Sequence, residues 1–473
     1  MRKRTVRILT GVAIIVVALG LSYAIAVAVS AAKLRRAYAA LEKAGRPMDA
    51  EDMVPPEGPD TENGELLYES AALWLKAEPV GYTPESLPGE SDREVADRER
   101  CKDVLGYLAS LSGRFVGGPL APERPRELKE VFSRRAGDCA LFVIEEGTRR
   151  SAFQFHRNYD AGMNIALPGL LDMKALACIV GARACLEAEA GATDRAWQLA
   201  AVQAKLADTY RGEPIVLSQL VRMDMIDLSC GTVRHLCEIA PPGKEQQEHM
   251  DSILRAFDDV TPLVRAMDGE RLLSGEWLFA QPRKELYGAL WDLRFRGSQM
   301  PGFMAWLITK RLTFKPSFLA DHANYLRAMH EGTQDLERPY SPGAAKENDG
   351  RSSLTGMLTP AFGRIRTLQC ETITFIRITR AYLALFQYRA AHGAFPATLD
   401  ALNLDGLSDP FAQGPLHYRA EGEGFIIYSV GPDGKDDGGT WRSPRRNSDP
   451  RSQRNTECDI VRRFPDQMRP AAQ

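Results

Sequence analysis

The strongest feature of the hydrophobic pattern is an uncharged run from Ile8 to Ala32. At about 1.5 Å of rise per residue, such a run forms a helix long enough to cross a hydrocarbon core of about 30 Å. It is longer than the roughly 7–15 apolar residues of a cleavable signal peptide, although the small residues from Ala28 to Ala31 offer a cleavage site. The pattern therefore favours an uncleaved transmembrane anchor over a signal peptide.

Basic residues flank this run unequally. Four precede it and three follow it closely: Arg2, Lys3, Arg4 and Arg7, then Lys33, Arg35 and Arg36. Membrane proteins keep an excess of positive charge on the cytoplasmic side. Residues 1–7 are therefore predicted to be cytoplasmic and residues 8–32 to form a single-pass anchor in the inner membrane, with the bulk of the chain in the periplasm.

The next two segments differ in periodicity. Residues 33–65 show little pattern and contain Val54-Pro55-Pro56, so they are predicted to be a linker or a loop laid over the surface. From residue 66 to 331, apolar residues recur at helical spacing. Two antiparallel helical hairpins stand out within this domain: 170–189 with 194–210, and 215–239 with 245–267. The first is similar to one tetratricopeptide-type unit, and the region is predicted to be a helical bundle or short solenoid.

A second linker is predicted at residues 332–353, which are rich in proline, glycine and charge. A long helix from Pro360 to Gly393 follows, with one apolar stripe. Alternating apolar residues then predict strands at 415–419, 424–430 and 459–464, before a tail at 465–473. The predicted fold class is mainly α, with a C-terminal α+β domain over residues 354–464 in which the long helix packs on a small antiparallel sheet.

Eight cysteines allow two interpretations. Cys178 and Cys185 lie seven residues apart, as do Cys230 and Cys237, so each pair shares one face of its own helix. If the two helices pack antiparallel, Cys178 can meet Cys237 and Cys185 can meet Cys230. Alternatively, these small apolar side chains fill a helical core, which the usual burial of free cysteine favours.

Charge and motifs limit the function classes. The chain has 60 basic and 62 acidic residues, a balance that gives no support for nucleic-acid binding. No nucleophile-elbow, phosphate-loop, zinc-protease or dinucleotide motif is present. The strongest polar cluster is His156 with Asp160, beside Arg157 and Tyr159, and an ordinary ion pair on a helix face explains it better than catalysis does.

Three motifs near the C-terminus carry a family resemblance. They are Tyr388–Leu402, Ser408–Phe411 and Tyr428–Gly439. In this order they resemble the C-terminal domain of the type II secretion major pseudopilin, over residues 361–464. The resemblance implies a helix packed on a sheet, with a calcium ion pinning the acidic loop after the last long strand.

The loop's own chemistry agrees with calcium binding. Asp433, Asp436 and Asp437 stand among glycines, so hard oxygen ligands lie on a backbone able to fold around the ion. The spacing is not that of an EF-hand, and a solvated Gly/Asp turn is the alternative. Asp459 resembles the family's closing acidic position, although residues 441–457 form a basic insertion before it. Calcium is thus predicted at these four aspartates.

The layout differs from that of a pseudopilin. A pseudopilin's membrane helix carries a peptidase-processing site and runs directly into its long spine helix, whereas here Arg2–Arg7 lacks such a site and some 330 residues intervene. The layout is similar to that of bacterial membrane-anchored proteins that join a helical region to a domain of this type. We expect a non-catalytic envelope protein that binds a protein or peptide, with an extracytoplasmic enzyme as the alternative.

Overall fold

The computed structural model describes residues 2–56, 62–65, 67–69, 71–72, 135–150, 153–282, 314–342, 354–440 and 459–465. Predicted features outside the described residues include residues 73–134 and 283–313 of the helical domain, the second half of the second linker (343–353) and the basic insertion (441–457). Within the described residues the fold is mainly α, with one small antiparallel sheet near the C-terminus, as predicted.

The helices, in chain order, are α1 (Arg2–Lys43), α2 (Arg135–Gly147), α3 (Leu170–Glu189), α4 (Thr193–Asp208), α5 (Val216–Ile239), α6 (Lys244–Phe257), α7 (Thr261–Gly269), α8 (Trp277–Ala280), α9 (Lys315–Glu337), α10 (Leu354–Leu358) and α11 (Phe362–His392). A π-helix, Glu270–Glu276, joins α7 to α8. The three strands are β1 (His417–Glu421), β2 (Gly424–Ser429) and β3 (Ile460–Phe464).

The N-terminal helix α1 is long and apolar enough to cross a membrane. It does not stop where the apolar run stops, because residues 33–43 of the predicted linker continue the helix. These last turns pack against α9, and Leu41 is only 1% exposed. Further along, Met53 is buried against Leu272 and Leu273 of the π-helix. This part of the predicted linker is therefore laid over the body, which was one of the two interpretations.

The first predicted helical hairpin is present, as α3–α4. The second differs from the prediction, because residues 258–260 divide the predicted helix 245–267 into α6 and α7; α6 packs on α4 and α11, and α7 packs on α5. Small residues allow the helices to approach closely: a Cβ on Gly181 of α3 would lie 2.4 Å from the Gln203 amide nitrogen of α4. Trp197 joins α4 to the end of α5, since its indole N–H donates to the Ala240 carbonyl at 2.9 Å. Gly191 has a φ of 82° at the turn between α3 and α4, which suits glycine and explains the sharp break.

The strands form one sheet in the order β1-β2-β3, with both pairs antiparallel. A two-residue turn at Gly422 and Glu423 joins the first two strands. All of β2 is buried, because α11 covers it and the other strands flank it. Its Phe425 packs edge-on against Tyr382 of α11, with 4.9 Å between ring centroids.

The long helix α11 is covered on two sides. One side faces the sheet, and another packs on α5 and α6 of the helical region. The buried residues of both regions therefore belong to one hydrophobic cluster. Polar contacts cross the same boundary: Arg234 donates to Thr379 at 2.7 Å, and Arg380 donates to Asp251 at 2.7 Å. The C-terminal unit thus shares its core with the helical region.

The start of α11 is fixed to the end of α9. The Arg366 guanidinium donates to the carbonyl oxygens of Leu336, at 2.7 Å, and of Arg338. Gly332 lies against the ring of Phe362, and a Cβ there would approach the ring to 2.4 Å. Since α9 continues to Glu337, the first residues of the predicted second linker are helical.

Candidate functional site

A groove opens between the first turns of α5 and the first turns of α11. Its volume is about 500 Å³. The lining is largely apolar: Val216, Leu220, Met223, Asp224, Pro360, Ala361, Arg364, Ile365, Leu368 and Thr372. A pocket of this size and lining is typical of sites that take an apolar group.

The walls of the groove are part of the folded core. Val216 and Ile365 are buried, and Leu220 and Met223 pack against the same hydrophobic cluster. Pro360 has a fixed φ and precedes α11, so the mouth on that side is stiff. Met223, by contrast, has an unbranched side chain that adapts to the shape of what it contacts. The groove is thus formed before any partner binds.

Two charged residues line the groove. Asp224 on α5 accepts a hydrogen bond from the Lys174 ammonium at 2.9 Å, so its charge is balanced within the protein. Arg364 on α11 is exposed to solvent. A group that enters the groove therefore meets an apolar surface with a guanidinium at its rim, and that guanidinium can pair with a carboxylate.

Three of the four aspartates predicted to bind calcium, Asp433, Asp436 and Asp459, accept local hydrogen bonds in the acidic loop through their carboxylates. Asp459 accepts the backbone N–H of Asp437 at 3.2 Å and that of Gly439 at 2.8 Å. Asp436 accepts from the Gly438 N–H at 2.8 Å and from the Tyr428 hydroxyl at 3.1 Å. The loop therefore closes on itself through side-chain acceptors and backbone donors.

The Asp433 carboxylate accepts from the Lys435 N–H at 3.1 Å, in a turn of its own. Burial raises the pKa of Asp459, and the carboxylates of Asp436 and Asp437 raise it further, while its two backbone hydrogen bonds oppose the shift. Across the described residues, no three His, Cys, Asp or Glu side chains are grouped as a metal site. This arrangement does not test calcium binding, so the calcium site stays a prediction.

Asp409 of the Ser408–Phe411 motif has a structural role that was not predicted from the sequence. Asp409 is buried, and its carboxylate accepts from the Ser429 hydroxyl at 2.7 Å and from the Val430 N–H at 2.9 Å. It thereby ties the segment before β1 to the end of β2. The adjacent proline was the available signal, since Asp-Pro marks a turn in which the aspartate bonds to nearby backbone.

The cluster around His156 lies in a non-helical segment, residues 153–158, followed by a 3₁₀ helix, Tyr159–Asn164. The helical spacing expected between His156 and Asp160 is therefore not present. The exposed His156 ring lies 3.7 Å from a buried carboxylate oxygen of Glu65. The buried Arg157 guanidinium donates to Glu213 at 2.8 Å.

The residues around Arg157 form a buried polar network. Burial raises the pKa of Glu65 to about 8, and the neighbouring Glu69 adds to that shift. The ring of Phe155 is stacked between the Arg157 guanidinium, 4.8 Å from its centroid, and the Tyr210 ring at 4.6 Å. Because its pKa is raised, Glu65 is largely protonated at neutral pH. The network lies away from the groove, and it joins residues 62–65 to the helical bundle.

The cysteines on α3 and α5 are free and buried. Burial raises the pKa of Cys178 to about 11 and the pKa of Cys230 to about 12, so these thiols stay protonated and unreactive at neutral pH. The structure thus agrees with the interpretation that they fill the core. Cys370 of α11 is likewise free and buried.

No protein family, no curated protein and no solved structure matches this chain. The resemblance to the pseudopilin domain therefore stays a prediction from the residues quoted above.

Proposed function

We propose that this protein is a non-catalytic, membrane-anchored protein of the cell envelope that binds a peptide segment of a partner protein. The groove between α5 and α11 carries the proposal. Its apolar lining suits the side chains of a peptide, as in proteins that lay an apolar helix face into a hydrophobic groove. Its volume of about 500 Å³ has room for a few such side chains and not for a folded domain.

Charge indicates which peptide fits best. Asp224 is already paired with Lys174, whereas Arg364 is exposed at the rim. A segment with large aliphatic or aromatic side chains beside an Asp or Glu therefore satisfies both the lining and the rim. The ordered lining favours a segment that binds without rearranging the body.

The anchor completes the proposal. Helix α1 is long enough to span a membrane, and the excess of basic residues before it favours a cytoplasmic N-terminus and a periplasmic body. Protease added to intact spheroplasts should then digest the body and leave a short protected fragment. Full protection of the body would contradict this orientation. A soluble form that starts near Ala31 would instead show a cleaved signal.

Peptide selection tests the groove directly. The detergent-solubilised full-length protein is used to select from a displayed library of short peptides. We expect the selected peptides to contain large apolar residues next to an acidic one. Their binding should fall at least tenfold with Met223→Glu, because a buried carboxylate would replace an apolar contact.

A matched control lies on the same helix. Leu217 is 51% exposed and does not line the groove, so Leu217→Glu should leave peptide binding unchanged. Both variants must keep the wild-type melting temperature within a few degrees for the comparison to hold. Peptides that bind the Met223→Glu protein as tightly as the wild type would refute the groove as the binding site.

A further inference from the structure

Helix α1 and helix α9 lie side by side and run in the same direction. Three contacts along their length show this. The ring of Tyr23 is 5.6 Å from that of Phe314, the ring of Tyr38 is 5.9 Å from that of His322, and the Arg46 guanidinium is 2.8 Å from the Glu337 carboxylate. Residue numbers increase together on both helices.

The contact between the two helices is held firmly near the C-terminal end of α1. The Tyr38 hydroxyl donates to Glu276 of the π-helix at 2.8 Å, and Leu41 is buried in the cluster that α9 shares. Arg46 pairs with Asp268 at 3.4 Å in addition to Glu337. Because the anchor helix is held by three elements of the body, the body cannot pivot freely about it.

The position of Tyr23 in the span fixes the depth of its neighbour. The run from Ile8 to Ala32 is about 37 Å long as a helix, so about 7 Å of it exceeds a hydrocarbon core of about 30 Å. Tyr23 precedes Ala32 by nine residues, or about 13 Å. Even if all of the excess lies on the side of the body, Tyr23 stays about 6 Å inside the core.

Phe314 contacts Tyr23 and must therefore lie close to the same depth. Its side chain is 48% exposed although it is large and apolar, and Lys315 beside it is also exposed. In water, an exposed ring forgoes the stabilisation that burial of its apolar surface would give. At a membrane boundary an aromatic ring enters the acyl chains, while a lysine extends its ammonium to the headgroups.

We propose that the start of α9 is a second membrane contact, in which Phe314 inserts into the leaflet on the side of the body and Lys315 reaches lipid phosphate groups. The inference rests on the proposed anchor. Its partner is the lipid bilayer itself, since the surface is continuous with the spanning helix. Two contacts, the span and this turn, would set the tilt of the body relative to the membrane.

Photo-crosslinking to lipid tests the contact in the full-length protein. Benzoylphenylalanine replaces one residue at a time, and the protein is reconstituted into vesicles of phosphatidylcholine and phosphatidylglycerol. After irradiation, mass spectrometry measures covalent lipid adducts. Phe314 is the test position, because the photoreactive residue keeps its ring.

Two matched positions make the result decisive. Leu19 in the span is 64% exposed, and Phe142 on α2 is 65% exposed but has no place in the span. We expect lipid adducts at Leu19 and Phe314 and at least tenfold less at Phe142. Adducts at Leu19 without adducts at Phe314 would overturn the inference and leave the anchor standing. No adduct at either would overturn both, and equal adducts at all three would overturn a contact specific to α9.

Discussion

Replacing Asp251 by alanine should destabilise the whole protein, because Asp251 neutralises a buried arginine on another helix. Arg380 of α11 is only 2% exposed, and its Nε atom donates to the Asp251 carboxylate of α6 at 2.7 Å. The other carboxylate oxygen of Asp251 accepts from Arg255 at 2.7 Å. One aspartate therefore joins a buried arginine and an exposed one.

The two pairs differ greatly in expected energy. Breaking a buried ion pair by removing one partner costs about 3–5 kcal/mol, because the remaining charge is left without compensation. An exposed pair contributes about 0–1 kcal/mol. At about 2 °C per kcal/mol for a large domain, Asp251→Ala should lower the melting temperature by roughly 6–10 °C. Arg255→Gln should lower it by no more than about 2 °C.

Thermal melts of the detergent-solubilised protein, followed by circular dichroism, measure both values. The double variant Asp251→Ala, Arg380→Met should recover part of the loss, since it removes the stranded charge and fills its place with an apolar side chain. If Asp251→Ala melts together with Arg255→Gln, the pair does not hold α11 to α6. The shared core of the two regions would then rest on apolar packing and on the other polar contacts, Arg234 with Thr379 and Arg377 with Asp258.

Three further predictions concern the C-terminal unit, Glu65 and the acidic loop. Residues 354–473 expressed alone should lack a cooperative melt, because α11 loses α5 and α6; a sharp transition would contradict this. Glu65→Gln should make the free energy of unfolding depend less on pH. The raised pKa of Glu65 gives the wild type a stabilising contribution that is full below pH about 4.5 and is lost toward pH about 8. Parallel curves of stability against pH for the two proteins would refute that role. If calcium binds the acidic loop, millimolar Ca²⁺ should raise the melting temperature of the full-length protein and Asp433→Ala should abolish the rise, whereas equal melts in chelator would leave only a hydrogen-bonded turn.

Local features of the sequence predicted the local structure well. The breaks at Gly191 and Pro241 separate helices as expected, and the hairpin strands lie within two residues of their predicted positions. Gly393 ends α11 with a φ of 79°, a conformation that suits glycine. These features depend on a few neighbouring residues, so one sequence contains the information.

Contacts between distant residues could not be predicted in the same way. The apolar stripe on α11 indicated one covered face, but nothing in the sequence indicated that Arg377 and Arg380 pair with Asp258 and Asp251. The groove was missed because its two walls are about 140 residues apart in the chain. The spacing of His156 and Asp160 suggested one α-helix, yet His156 lies in a non-helical segment and Asp160 in a 3₁₀ helix.

If α1 spans the membrane, the distance from the bilayer to the groove limits which partner segments can reach the groove. Helix α9 starts beside Tyr23 and ends beside Arg366, the residue next to the groove residue Ile365 on α11. From Phe314 to Leu336 this path is about 33 Å long. In the proposed orientation Phe314 lies at least about 6 Å inside the hydrocarbon core, so with α9 near the membrane normal the groove stands no more than about 27 Å above that core. A peptide tethered in the same membrane would therefore need roughly eight extended residues to reach it, whereas a soluble partner meets no such limit.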